Sequence, residues 1–165
     1  MSICLCKMTK ELSRQYRKDF ENDPDIFKDM SRFTAYIYSE ENADAFYDRQ
    51  QTQGRIHLAV MRDEEPIGEV ILKNIDQNTQ RCTLSIHMKN DSVKNQGYGT
   101  TAEILTLQYA FYDLKMETVF ADAILKNKRS QHVLKKAGFT QTHCDDTFCY
   151  FRCDKSDWIM PSFAK

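Results

Sequence analysis

A single mixed α/β domain is what this sequence predicts, and three observations predict it. Apolar residues alternate with period two over three consecutive segments between Ile56 and Met88, then recur at helical spacing beyond Asn90. A chain of 165 residues with 41 % apolar content is long enough for one core and too short for two ordinary ones. Residues 1–165 are therefore read as one domain, without linker or internal repeat.

Cys4 to Met8 reads as a short strand, after which Thr9 caps a helix running toward Phe20 that must stop before Pro24, whose ring cannot continue it. Ser39 caps a second helix: Glu40 and Glu41 occupy its first turn, Ala43, Phe46 and Tyr47 its apolar side, and it ends near Gly54. Ile56, Leu58 and Val60 alternate with His57, Ala59 and Met61; Arg62 to Pro66 turns the chain; strands Ile67 to Lys73 and Cys82 to Met88 complete an antiparallel meander.

Ile104, Leu107, Ala110, Phe111 and Leu114 share one helical face, which predicts a long helix from Tyr98 to Leu114. Val119 to Leu125 reads as a buried strand, parallel to the one ending at Met88 because a helix crosses between them. A last helix spans Asn127 to Gly138, where glycine suits a left-handed cap. Thr140 to Cys144 and Phe148 to Cys153 form a closing hairpin.

The 23 basic and 24 acidic residues nearly cancel, so no global field draws in nucleic acid, and no apolar run approaches a bilayer span. A cytoplasmic location is expected. The six cysteines show no paired CxxC spacing and mostly lie in strand-like runs, so they are read as reduced, apolar side chains, with no metal site.

The most informative stretch is Lys94-Asn95-Gln96-Gly97-Tyr98-Gly99-Thr100, between a strand and a helix. Without a Cβ at Gly97 and Gly99 the backbone can approach an anion, and the N–H groups of a helix start can hold a pyrophosphate. Two rival readings exist. The segment can be a mere strand-to-helix turn, or a GxGxxG/A dinucleotide fingerprint running from Gly97 to Ala102 with Glu117 as ribose partner. Against the latter, polar residues Lys89 to Gln96 separate the glycines from the strand, and too little chain follows Leu125 for a second mononucleotide half.

Lys94-x-x-Gly97-x-Gly99, followed by Asn127-x-x-Ser130 and then Gly138-Phe139, resembles the GNAT superfamily of N-acetyltransferases, with Lys94 where the family carries Arg or Gln. The resemblance extends from about Cys4 to Cys153. Within it the chain is most similar to the ribosomal-protein alanine N-acetyltransferase subgroup, on Gly68-Glu69 and on Leu134 to Phe139. It implies a mixed, mostly antiparallel central sheet with helices on both faces. It also implies direct transfer of an acetyl group from acetyl-CoA to a primary amine, either a protein N-terminus or a small molecule. The implied cosubstrate site comprises Ile86, His87 and Met88 through backbone groups, Lys94 to Thr100, Asn127 and Ser130.

Many family members carry an acidic tyrosine four residues after the Ser130 position; here Leu134 stands there, and Ser130 becomes the proton donor by analogy. Ser130 is equally an ordinary residue of a helix start. Glu69 and His87 are the candidate bases, against a solvated strand carboxylate and a strand histidine bonded to a neighbour. Tyr36, Tyr38 and Phe46 fall where the family builds its acceptor pocket, and Asp145 and Asp146 sit at the tip of the final hairpin. The alternative class is an idle acyl-CoA-binding regulatory module, favoured by Leu134; a NAD(P) oxidoreductase is a distant third. A homodimer is left open.

Overall fold

In the computed structural model, which describes residues 2–162, the pattern of local signals becomes seven strands and four main helices. Strand β1 (Ile3–Lys7) leads into α1 (Lys10–Lys18), whose cap is Thr9: its side chain accepts from the Leu12 N–H. Two short 3₁₀ turns follow, and then α2 (Glu40–Thr52), capped by Ser39. The meander is β2 (Ile56–Arg62), β3 (Glu65–Asp76) and β4 (Arg81–Met88). Helix α3 (Tyr98–Gln108) continues to Asp113 as a wider π turn. Strand β5 (Thr118–Ile124), α4 (Lys128–Ala137), β6 (Thr140–Cys144) and β7 (Phe148–Asp154) complete the chain.

The sheet order is β1-β2-β3-β4-β5-β7-β6, antiparallel throughout except for β4 with β5. Alternation along β2 assigns the faces. Leu58 and Val60 pack with Tyr98 and Ala102 of α3, whereas Ala59 and Met61 pack with Leu12 of α1 and Tyr47 of α2. Helices α1 and α2 thus cover one face and α3 the other, with α4 joining α3 through Leu134 and Ala137 in the largest apolar cluster.

Four of the six cysteines carry free thiols, but Cys144 and Cys149 are joined by a disulfide, which corrects the expectation that all are reduced. The reason is register. The turn Asp145-Asp146-Thr147 sets the two residues directly opposite each other on β6 and β7, with Cα atoms 4.1 Å apart.

Candidate active site

The parallel pair β4/β5 is short. Arg81, Cys82 and Thr83 pair with Thr118, Val119 and Phe120, and beyond them the strands diverge. Leu84 to Met88 therefore keep β3 as a neighbour on one side and have no strand partner on the other, as do Ala121 to Ile124 on the side facing them. The result is a slot through the sheet, a cavity of about 260 Å³ walled by those two segments and by Asn127, Ser130 and Leu134 of the α4 start. It opens into a larger groove of about 370 Å³ that runs past Gly97, Gly99 and Thr100 to Arg129 and Lys136.

The groove's rim is the glycine loop. Gly97 sits in the left-handed region at φ +81°, and a Cβ there would meet nothing within 4 Å, so the backbone at the head of α3 is bare toward the groove. Lys94 and Asn95 line the same space, and Asn95 is also left-handed at φ 59°. Two side chains expected in the cosubstrate site turn away from it. Gln96 bonds the Ser92 carbonyl at 2.6 Å, and Tyr98 is buried in the α3-side core on the same helical face as Ala102, one turn on. Lys94 is held by Asp23 at 2.7 Å and Asp91 at 2.9 Å, and Arg129 approaches the same two carboxylates at 3.9 Å.

Asn127 caps α4, its side-chain oxygen accepting the Ser130 backbone N–H at 3.1 Å. The Ser130 hydroxyl takes no part in that cap, and Ser130 lines both groove and slot. Leu134, one turn on, is buried beside it.

His87 borders both spaces. Its register partner is Glu69, so the two project to the α1 face. Burial lowers the His87 pKa; the attraction of Glu69 works the other way without winning. Glu69 itself is a correction. It is 2 % exposed rather than solvated and lies off the groove, its two oxygens bonded to Arg17 at 2.6 Å and to His57 at 2.8 Å. Burial alone would raise its pKa, but the His57 hydrogen bond and the Arg17 charge outweigh that and hold it below the usual range. With both oxygens engaged and no place on the groove wall, Glu69 is not positioned to take a proton from a substrate.

The aromatic lining differs as well. Tyr36, Tyr38 and Phe46 are absent from the groove wall; Phe46 and Tyr36 instead surround the Arg17 guanidinium, with the Phe46 ring centre 3.9 Å from it. Phe20, Glu21, Asp23 and Ile26, just after α1, form that side of the groove. At the hairpin tip Asp145 accepts from the Thr147 and Phe148 N–H groups and from the Tyr150 hydroxyl, which lowers its pKa to about 2, while Asp146 approaches Lys28 at 3.7 Å. The tip serves its own turn.

Sequence reading missed Glu103. It is 1 % exposed, lines both groove and slot, and has one carboxylate oxygen, Oε2, buried without a hydrogen-bond partner. Burial pushes its pKa well above the carboxylate range. The available signal was that Glu103 is the sole charged residue between Gly97 and Tyr112.

A mixed sheet parted at its one parallel pair, with a glycine loop on the rim of the adjoining groove, is a site shaped to take an extended, phosphate-bearing ligand. Comparison with known proteins names the family. Residues 3–140 match the model described as Acetyltransferase (GNAT) domain, and the chain belongs to that family. It is 28 % identical over 138 residues to the acetyltransferase PseH of Campylobacter jejuni, spanning 84 % of this chain and 83 % of that one. Over 122 residues it is 25 % identical to the probable N-acetyltransferase YjcK of Bacillus subtilis, spanning 70 % and 67 %. The fold is shared with aminoglycoside acetyltransferase AAC(6')-Ib, solved with paromomycin and acetyl-CoA: TM-score 0.77, 16 % identity, covering 95 % of this chain and 96 % of that one.

Proposed function

We propose that this acetyltransferase moves an acetyl group from acetyl-CoA to a primary amine that enters from the α1 face. The observation that carries the reading is the slot, with unpaired backbone of β4 on one wall and His87 on its lining, beside a groove rimmed by Gly97 and Gly99. The cosubstrate fits the residues present. Bare amides at the α3 start suit its diphosphate, Lys94 and Arg129 stand beside them, and the free edge of β4 suits a chain carrying amides.

Acetyl-CoA, when bound, supplies an activated acyl carbon and a thiol leaving group. His87, kept neutral by burial, accepts the proton that the acceptor amine must lose. Backbone N–H groups along Ile86 to Met88 are preorganised donors for negative charge developing on the acyl oxygen. The Ser130 hydroxyl, free of the helix cap, donates toward the departing sulfur. Glu69 positions rather than reacts, fixing α1 against β3 behind His87.

The groove wall that follows α1 carries Phe20 and Ile26 beside Glu21, a surface suited to a cationic amine with an apolar body, whereas Asp23 is already paired with Lys94. That chemistry accommodates a protein N-terminus and a small amine alike. The residues that suggested an alanine N-acetyltransferase have packing duties. Gly68 lets Met88 and the His87 carbonyl approach within 3.0 Å of where its Cβ would be, and Gly138 caps α4 at φ +113° against Trp158. They bear on the fold, so the acceptor is read from the groove instead. Thiol release from acetyl-CoA in the presence of peptides with free N-termini, polyamines and aminoglycosides tests the proposal. Turnover on one class is expected; binding without turnover on any amine would leave the regulatory-module reading in its place.

A further inference from the structure

The slot presents two different kinds of surface at its two ends. Cross-strand partners share a face, so His87 and Glu69 look toward α1, whereas Ile86, Val70 and Leu84 look toward α3. Glu103 rises from α3 and therefore meets the slot from the side of the glycine loop, opposite His87.

A carboxyl group here is costly. Its neighbours on the same face of α3 are Gly99, Thr100, Thr106 and Leu107, none of them charged, the last three are buried as well, and among the described residues Oε2 has no partner. No salt bridge to Glu103 forms among the described residues, and burial pushes its pKa up. Buried polar atoms are nearly always satisfied, so an orphan that also borders a cavity points to a partner that arrives with the ligand.

The chemistry of that partner can be stated. A neutral carboxyl offers one O–H donor and one carbonyl acceptor side by side. A secondary amide offers the matching pair, one N–H and one C=O. The stretch between diphosphate and sulfur in coenzyme A carries two secondary amides, and Glu103 stands between the loop that suits the diphosphate and the slot that leads to His87.

We propose that Glu103 is a binding residue for the cosubstrate's arm: a buried carboxyl bordering the slot that hydrogen-bonds an amide of the pantetheine chain. This rests on the acetyltransferase reading above, and it assigns Glu103 to recognition, distinct from His87 and Ser130.

The test is binding, measured by calorimetry with coenzyme A and with adenosine 3′-phosphate 5′-diphosphate, which keeps the diphosphate and the 3′-phosphate and lacks the arm. Glu103→Leu should raise the melting temperature while weakening coenzyme A about tenfold, the loss of one or two buried hydrogen bonds, and should leave the affinity for the arm-less nucleotide unchanged. Glu103→Gln, which keeps a donor and an acceptor, should bind coenzyme A within about threefold of wild type. Unchanged coenzyme A affinity in Glu103→Leu overturns the inference, as does equal weakening of both ligands, which would place the effect at the phosphate loop. Failure of the wild-type protein to bind coenzyme A would overturn the acetyltransferase reading and the inference together, whereas tight wild-type binding with an indifferent Leu variant removes the inference alone.

Discussion

Arg17 of α1 and Glu69 of β3 meet at 2.6 Å with their side chains 6 % and 2 % exposed, 52 residues apart in the chain. The pair is ringed by Tyr16, Phe20 and Phe46 and shared with His57. Removing one partner strands the other charge in an apolar setting. Arg17→Ala should therefore cost about 3–5 kcal/mol of stability, and Glu69→Ala a similar amount, read by denaturant midpoint. Neither residue borders the groove, so coenzyme A affinity of the folded fraction should hold; a selective loss of affinity at full stability would move the pair into the site.

His87 gives a pH signature. Its pKa is lowered in the folded protein, so the unfolded chain binds the extra proton first, and stability from this group is complete above about pH 6.5 and lost as pH falls below it. As proton acceptor it stays neutral through the same range, so kcat/KM should show no break from His87 at or above its ordinary value. His87→Ala should lower kcat by about 10²- to 10⁴-fold. A near-normal rate in that variant, with an unaltered acid limb, would assign proton removal to water.

The two loop glycines should respond differently. At Gly97 a side chain meets no atom but must adopt φ +81°, so Gly97→Val should cost about 1–2 kcal/mol in strain and weaken coenzyme A binding. Gly99 has ordinary φ, and its nearest atom to a new Cβ, a methyl of Val133, is 3.9 Å away. Gly99→Ala should fold normally, and any loss it shows is a loss of ligand approach. Thermal shift with and without coenzyme A separates the two.

Ser130→Ala should leave the melting temperature within about 1 °C, because the α4 cap is made by Asn127 to the Ser130 backbone N–H. The same variant should lower kcat with little change in KM if the hydroxyl meets the leaving sulfur. Asn127→Ala, in contrast, should cost about 1 kcal/mol of stability.

Glu103 is expected to make wild-type stability fall with rising pH. Its folded pKa is raised, so the folded state holds a proton the unfolded chain has released, and the penalty begins near the ordinary value of about 4.3 and grows upward. Glu103→Gln should thus be more stable than wild type at pH 8, with the gap closing toward pH 4. A gap independent of pH would show that the carboxyl is ionised in the folded protein.

Locally encoded features were legible in the sequence. Thr9, Ser39 and Asn127 cap helices because a side chain two or three residues away decides the matter, and Gly138 ends α4 because only the backbone conformation there is at stake. The parallel β4/β5 neighbours followed from one crossover helix. What escaped depends on residues far apart. Glu69 stood as a candidate base, with a solvated strand carboxylate as the other reading, because nothing near it in sequence announces Arg17. Cys144 and Cys149 looked independent because their pairing is a matter of turn length. Tyr36 and Phe46 looked like pocket walls until Arg17 claimed them, and Glu103 was submerged in an otherwise suitable helix.

The parting of β4 from β5 also governs the order of events. On the function proposed above, acyl donor and amine approach one layer of protein from its two sides, so neither blocks the other's entrance and neither must depart before the second arrives. Double-reciprocal initial-rate lines should accordingly intersect rather than run parallel, the kinetic mark of a ternary complex without an acylated protein residue.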